Sequence, residues 1–340
     1  MSELVDKLRG SGRRALARAM SRVDPAGRTD PAFEVGLRRS TGQVPWWGFT
    51  GPPGVGKSTL IDALLVRLRE QGRRIGVVAV DPSSARSNGA LLGDRVRMMR
   101  HAVDDDVFIR SLATHGHEGG LSDTTIHCAR LMELAGYDPV VIETVGVGQN
   151  ELDIASVADL CVVVLGPGHG DDIQLIKAGL LEIADMVVVN KCDLPESHRL
   201  LKEVREELAG AAFARSGGRC EPLAEDRSGS TTDAAGGPQV VELEAKSGRG
   251  VEKLLEQLLD LDRARRTPEA QAVRGERRSL GEIRRSAMAA CGGAIERVLT
   301  SPEAKQWIAQ LNGGESSLDA VVSQLAASAL AEMQQPASDV

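Results

Sequence analysis

The sequence predicts an α/β protein built on a mostly parallel, doubly wound sheet, with a helical extension before it and a helical arm after it. Three observations carry this prediction. Apolar runs of strand character alternate with helical ones through the middle of the chain. One strand is joined to the next helix by Gly51–Thr59, GPPGVGKST, which has the spacing of a phosphate-binding loop. Finally, 340 residues that are 42% hydrophobic can fill one large core plus appendages, mostly with Leu, Val, Ile and Ala, because only 2% are aromatic.

Residues 1–44 are polar and read as a helical extension with Leu4, Leu8, Leu16 and Met20 as apolar marks. Pro45 precedes the first strand, Trp46–Thr50. Leu60, Ile61, Leu64, Leu65 and Leu68 then recur at helical spacing up to a stop at Gly72. In the connecting loop, Gly51, Pro52, Pro53, Gly54, Val55 and Gly56 are expected to turn tightly, so that backbone N–H groups close on phosphate oxygens. Lys57 is expected to reach the β- and γ-phosphates and the Ser58 hydroxyl to ligate Mg²⁺, with Thr59 closing the motif. The unpaired N–H groups and dipole of the helix N-terminus favour an anion at the same place. The fold is therefore expected to be that of a P-loop NTPase, and the ligand a nucleoside triphosphate.

Further strands are expected at Ile75–Val80, Val107–Arg110, Val140–Glu143, Leu160–Leu165, Met186–Asn190 and Val240–Leu243, with the chemistry at their carboxyl ends. These bound a nucleotide-binding G domain at 45–261. Between Gly217 and Pro238 the chain turns to Gly, Ser, Thr, Ala and Asp without periodicity, which predicts a flexible surface insertion. Residues 262–340 are read as a helical arm. Asp262–Arg278 is strongly charged, and helical patterns resume from Leu280 to about Gln335, with Leu318, Val322, Leu325 and Ala329 along one face. That stripe is expected to pack on the G domain or on a second subunit.

The base is expected to be guanine. Asn190-Lys191-Cys192-Asp193 follows an apolar strand, where Asp193 can accept from guanine N1–H and the N2 amine, neither of which adenine offers. Asn190 can bond the Hoogsteen side and the neighbouring loop, and the Lys191 stem can pack on the base. A site built to pair such a carboxylate rejects the base that leaves it unpaired. Glu244-Ala245-Lys246-Ser247 is expected to be a second guanine-side loop, with the Ala245 N–H meeting guanine O6. In VVIETVGVGQ, Val140–Gln149, Glu143 is expected to act on the Mg²⁺ shell and the Gly146 amide on the γ-phosphate. Asp81, at the end of the Ile75–Val80 strand, and Asp94, in LLGDRVRM, are expected to join the metal site or order a water. The same spacings also fit a helix cap for Asp81 and a solvated face for Asp94.

The net charge of −7 argues against nucleic acid as the main partner. Cys128, Cys161, Cys192, Cys220 and Cys291 form no CxxC pair, the usage of a reduced compartment. No apolar run reaches membrane-span length and the N-terminus has no signal-peptide core, so a cytoplasmic protein without a membrane partner is expected. His115, His117 and His127 have mixed spacing and no nearby Cys, which speaks against a zinc site.

Taken in series, GPPGVGKST, DPSS with LLGDRVRM, FIRSLATHGHEGGLS, IETVGVGQNE and GPGHGDDIQLIKAGLLEIADMVVVNKCD resemble the MeaB/ArgK GTPases over Trp46–Asp193. The chain departs from that family at Ala85, where Pro is frequent, and at His115, where Arg is frequent. The resemblance implies GTP and GDP as ligands with Mg²⁺, and hydrolysis to GDP and phosphate. It places Lys57, Asp81, Asp94 and Glu143 around the reacting phosphate and Ser58, Asp81, Asp94 and Glu143 around the metal. It also implies a chaperone of an adenosylcobalamin-dependent acyl-CoA mutase, a homodimer formed through the arm, and switch segments near 81–94, 143–149 and 166–177. Other readings of a P-loop protein stay open at this point: a metal-delivery GTPase of the hydrogenase or urease maturation type, a kinase acting on another molecule, and a structural nucleotide-binding module.

Overall fold

A computed structural model describes residues 8, 12–21, 23, 31–81, 99–101, 103–113, 123–144, 154–168, 180–215, 224–225, 231–232 and 237–334. Two helices, α1 (Gly12–Met20) and α2 (Pro31–Ser40), lead into strand β1 (Trp46–Thr50). There follow α3 (Lys57–Glu70), β2 (Ile75–Asp81), β3 (Val107–Ala113), α4 (Asp123–Leu134), β4 (Val140–Glu143), β5 (Leu160–Leu165), β6 (Met186–Val189) and α5 (Glu196–Arg215). Two short strands, β7 (Ala224–Glu225) and β8 (Thr231–Thr232), precede β9 (Gln239–Glu242) and α6 (Val251–Ala264). The chain continues in α7 (Pro268–Leu299), α8 (Pro302–Asn312) and α9 (Leu318–Gln334). It divides into two compact units, Met1–Arg278 and Ser279–Val340.

Seven strands form one sheet in the order β3-β2-β4-β1-β5-β6-β9, and every neighbouring pair is parallel. A parallel sheet needs cover on both faces, so its strands are apolar throughout rather than alternating with polar residues. Successive side chains then divide between two cores. Trp46, Val78, Ile142, Val163 and Val187 face α4, α1 and α2, where Leu131, Leu16, Met20 and Leu37 meet them. Trp47, Phe49, Val77, Val162 and Val188 face α3 and α6, where Leu60, Leu64, Leu68, Leu254 and Leu258 meet them. The topology places the carboxyl ends of β1, β4, β2 and β6 together, at the point where the strand order reverses about β1.

The amino edge of the sheet is closed by ion pairs. Glu133 of α4 takes the N–H groups of Gly42, Gln43 and Val44 on one oxygen, at 2.6, 2.7 and 3.1 Å, and so sets the turn that enters β1. Asp159 takes the Trp46 N–H at 2.7 Å and pairs with Arg278 in a buried contact. The Arg278 guanidinium also lies 3.9 Å from the centroid of the Trp46 ring. Arg265 reaches Asp185 and the Asp159 carbonyl, Arg266 reaches Asp262 and Asp138, and Arg277 reaches the Ala158 carbonyl. This corrects the expectation that regular helix resumes only at Leu280. Helix α7 already starts at Pro268, with the Thr267 hydroxyl capping the Ala270 N–H, and Arg265, Arg266 and Arg278 are matched by Asp185, Asp138 and Asp159, which stand just before β6, β4 and β5.

Most of the expected insertion 217–238 lies outside the described residues; β7 and β8 within it pair antiparallel. In the second unit, Ser301 caps α8 with Pro302 at its first position, and Arg297 pairs with Glu332. Of the expected apolar stripe on α9, Ala329 is buried whereas Leu318 and Val322 are exposed. No helix among the described residues is long and apolar enough to cross a membrane.

Candidate nucleotide site

The loop between β1 and α3 is shaped by its glycines. Gly51 has φ of 135°, and a Cβ there would stand 2.0 Å from the Val164 carbonyl oxygen of β5. Gly56, with φ of 100°, occupies the N-cap of α3, and a Cβ there would stand 2.5 Å from Asn190 Nδ2. Both positions therefore need glycine for conformation and for room. A glycine cap has no side-chain oxygen to offer the first N–H groups of α3, which leaves them for an anion. Lys57 is buried with Nζ donating to the carbonyls of Gly51 and Pro52 at 2.6 and 2.9 Å, so its charge is held against the inside of the loop.

The Ser58 hydroxyl donates to Glu143 Oε1 at 2.8 Å, and both side chains are buried. Glu143 ends β4, in register with Phe49 of β1 and Ala79 of β2, which brings its carboxylate beside the loop. Next to it, Thr144 donates its N–H to Phe49 O at 3.0 Å and its hydroxyl to Thr50 Oγ1 at 3.0 Å, fixing the two strand ends together. Thr144 also lines the cavity described below, and sequence reasoning did not single it out. The available signal was a threonine ending β1 and another directly after β4.

Asn190 joins two loops in a buried position. Its Nδ2 donates to the Val55 carbonyl of the phosphate loop at 2.8 Å, and its Oδ1 accepts the Ala245 N–H at 2.9 Å. The expectation that the Ala245 N–H would meet guanine O6 is altered by this bond: that N–H is donated to Asn190, and a base could take it only by sharing. Lys191 has φ of 60°, which turns the chain sharply out of β6 and places Lys191 and Asp193 on the rim.

A cavity of about 720 Å³ unites these parts. Pro53, Gly54, Gly56, Lys57, Ser58 and Thr59 line it from the loop and α3, and Val80, Glu143 and Thr144 from the ends of β2 and β4. Asn190, Lys191, Asp193 and Leu194 line it after β6, and Glu244, Ala245 and Lys246 after β9. Gly51, Pro52 and Val55 act instead through their carbonyls, on Lys57 and Asn190. The Asp81 backbone lies at the carboxyl edge, paired with Ala113. The Asp81 side chain, Asp94 and Gly146 lie outside the described residues, as do most of the expected switch segments. The arrangement offers a helix N-terminus and a buried ammonium for phosphates at one end. At the other it offers an acidic and amide-lined rim for a base.

The family described as Methylmalonyl Co-A mutase-associated GTPase MeaB matches residues 16–295. A Pyrococcus horikoshii relative is 48% identical over 193 residues, covering 57% of this chain and 61% of its own. The mitochondrial methylmalonic aciduria type A homolog of Mus musculus is 49% identical over 146 residues, 43% of this chain and 35% of that one. Across the first relatives matched, the chain spans about three fifths of their length, at 61%, 60% and 63%. The crystal structure of an LAO/AO transport system kinase superposes with a TM-score of 0.65, covering 96% of both chains at 24% identity, which shows the shared fold.

Proposed function

This chain belongs to the MeaB family of mutase-associated GTPases, and from that premise we propose that it binds GTP with Mg²⁺, hydrolyses it to GDP and phosphate, and serves as a chaperone of an adenosylcobalamin-dependent acyl-CoA mutase in the cytoplasm. The observation that carries the reading is the single cavity in which Lys57 and the Ser58–Glu143 pair share a wall with Asn190 and Asp193. Phosphate-binding and guanine-reading groups thus stand at the two ends of one space.

The Ser58–Glu143 pair fits a magnesium ion, because both are hard oxygen ligands held 2.8 Å apart at the N-terminus of α3. When bound, the ion neutralises charge on the β- and γ-phosphate oxygens. Ser58 and Glu143 would hold it, with Asp81 and Asp94 as further acids of the set. Lys57 binds the phosphates and exchanges its loop carbonyls for them, while the first N–H groups of α3 and Gly146 take the remaining oxygens. A water oxygen attacks the γ-phosphorus, the bond to the bridging oxygen breaks, GDP carries away that electron pair, and the water's protons leave on the inorganic phosphate or pass to solvent. Asn190 positions the loop that Asp193 and Lys191 extend around the base.

In this reading the bound nucleotide gates loading, protection and reactivation of the mutase's cofactor, and mutase and GTP change each other's affinity by the same factor. The helical arm joins two copies; the exposed Leu280, Ile283 and Met288 on α7 support that role. The test is phosphate release from GTP by purified protein with and without Mg²⁺ and an acyl-CoA mutase. GDP and free phosphate only, dependent on Mg²⁺ and Lys57 and faster with the mutase, is the expected result. No release under any condition, or stimulation that survives Lys57→Ala, would overturn it.

A further inference from the structure

The loop after β9 is a closed turn. Glu244 and Arg249 form an antiparallel bridge, with the Glu244 N–H donating to the Arg249 carbonyl at 2.9 Å, and Gly248 makes the turn between them with φ of 80°. Ala245 and Lys246 sit on the cavity side of this turn, and Arg249 closes its base. The Arg249 side chain is 63% exposed, but its guanidinium folds back over the neighbouring loop. Its Nη2 lies 3.1 Å from Cys192 Sγ, in the middle of the Asn190–Asp193 loop, and its Nε lies 3.9 Å from Glu244 Oε2. The Cys192 N–H in turn donates to the Leu243 carbonyl at 3.2 Å, one residue before the turn.

The two base-side loops are therefore tied at both ends of the Asn190–Asp193 segment. Asn190 is held to Ala245 inside the cavity, and Cys192 is held to Arg249 and Leu243 outside it. Asp193 comes directly after the outer tie. It is exposed on the rim and has the carboxylate that must meet the base edge. A rim carboxylate on an untied turn would spread over several rotamers and backbone positions and lose directional selectivity. We propose that Arg249 is a positioning residue for base selectivity: by clasping Cys192 it holds Asp193 at the height where it accepts from the guanine N2 amine. This rests on the reading of the cavity as a guanine-nucleotide site.

The experiment compares the dissociation constants of GDP and IDP, which differ only in the N2 amine, for the wild type and for Arg249→Ala in the full chain. The expected result is a GDP-over-IDP preference that falls about tenfold in Arg249→Ala, the size of one lost hydrogen bond to a charged group, with IDP affinity falling less than GDP affinity because IDP offers Asp193 only the N1–H. Arg249→Lys, which keeps a cationic donor, recovers part of the preference. Cys192→Ala removes the other half of the clasp without touching the turn and gives the same loss, so the test stands if Arg249→Ala does not fold. The double variant loses no more than either single one. Equal weakening of GDP and IDP, or an unchanged ratio in both Arg249→Ala and Cys192→Ala, would overturn the inference. A wild type that does not prefer GDP over ADP would instead overturn the guanine-site reading itself.

Discussion

Ser58 and Glu143, 85 residues apart in sequence, meet in a buried hydrogen bond of 2.8 Å that joins the first turn of α3 to the carboxyl end of β4. The contact depends on register: β4 must pair with β1 so that Glu143 stands opposite Phe49, two residues before the loop begins at Gly51. A slip of one position would turn the carboxylate to the other face of the sheet.

Ser58→Ala and Glu143→Gln are each expected to lower single-turnover phosphate release by about 10²-fold while GDP affinity changes far less, because each removes a group that acts on the charge developing in the transition state. Rapid-quench measurement across an Mg²⁺ titration checks this. A loss confined to GDP affinity would contradict it.

Asn190→Ala removes two buried hydrogen bonds and leaves the Val55 carbonyl and the Ala245 N–H facing each other without the amide between them. A destabilisation of about 2–4 kcal/mol is expected, and nucleotide affinity should fall by at least tenfold. Gly56→Ala drives a methyl group against the same amide, so the two substitutions together should cost less than the sum of their separate effects. Urea unfolding and calorimetric titration of the three variants test both statements.

Arg278→Ala is expected to cost about 3–5 kcal/mol, since it removes the guanidinium paired with the buried Asp159 carboxylate and uncovers the Trp46 ring. Arg278→Met paired with Asp159→Asn should recover much of that loss, because no charge is then buried alone. Urea unfolding followed by tryptophan emission reads both results. A mild loss in Arg278→Ala alone would show that Asp159 finds another partner.

Burial pushes the Glu133 carboxyl above the ordinary carboxylate range, although the N–H groups of Val44, Gln43 and Gly42 and the charge of Arg278 pull it down. A carboxyl with a raised folded pKa contributes stability that is fully present below its unfolded value, about 4.3, and is lost as pH rises through the folded value. The wild type is therefore expected to gain stability relative to Glu133→Gln as pH falls from 7 towards 4. Urea unfolding of the two proteins at four pH values checks the sign of that difference. A gain with rising pH would contradict it.

The strands were readable because a parallel sheet covered on both faces writes each strand as an unbroken apolar run; Trp46–Thr50, Val140–Glu143 and Leu160–Leu165 coincide with theirs end to end. The loop from Gly51 to Thr59 was equally readable, since its glycines answer to local backbone geometry. What depends on distant partners was not. The arginines of Asp262–Arg278 look like a solvated run until Asp138, Asp159 and Asp185 are brought beneath them. The bond between Ala245 and Asn190 spans 55 residues, and that between Arg249 and Cys192 spans 57, with no periodicity to announce either. Two-residue strands such as Ala224–Glu225 are too short to leave a pattern at all.

The arginines beneath the amino edge also bear on how the protein breaks. Arg265, Arg266, Arg277 and Arg278 make 265–278 one of the stretches of the sequence richest in tryptic sites. Yet a protease must draw several residues of extended backbone into its cleft. Here that backbone is helical over most of its length, and at Arg265, Arg266, Arg277 and Arg278 the side chain it must recognise is already clasped by a carbonyl or a carboxylate. Under brief digestion the densest cluster of cleavage sites should be among the last to be cut, and fragments that end within it would mark a molecule whose sheet has already come apart.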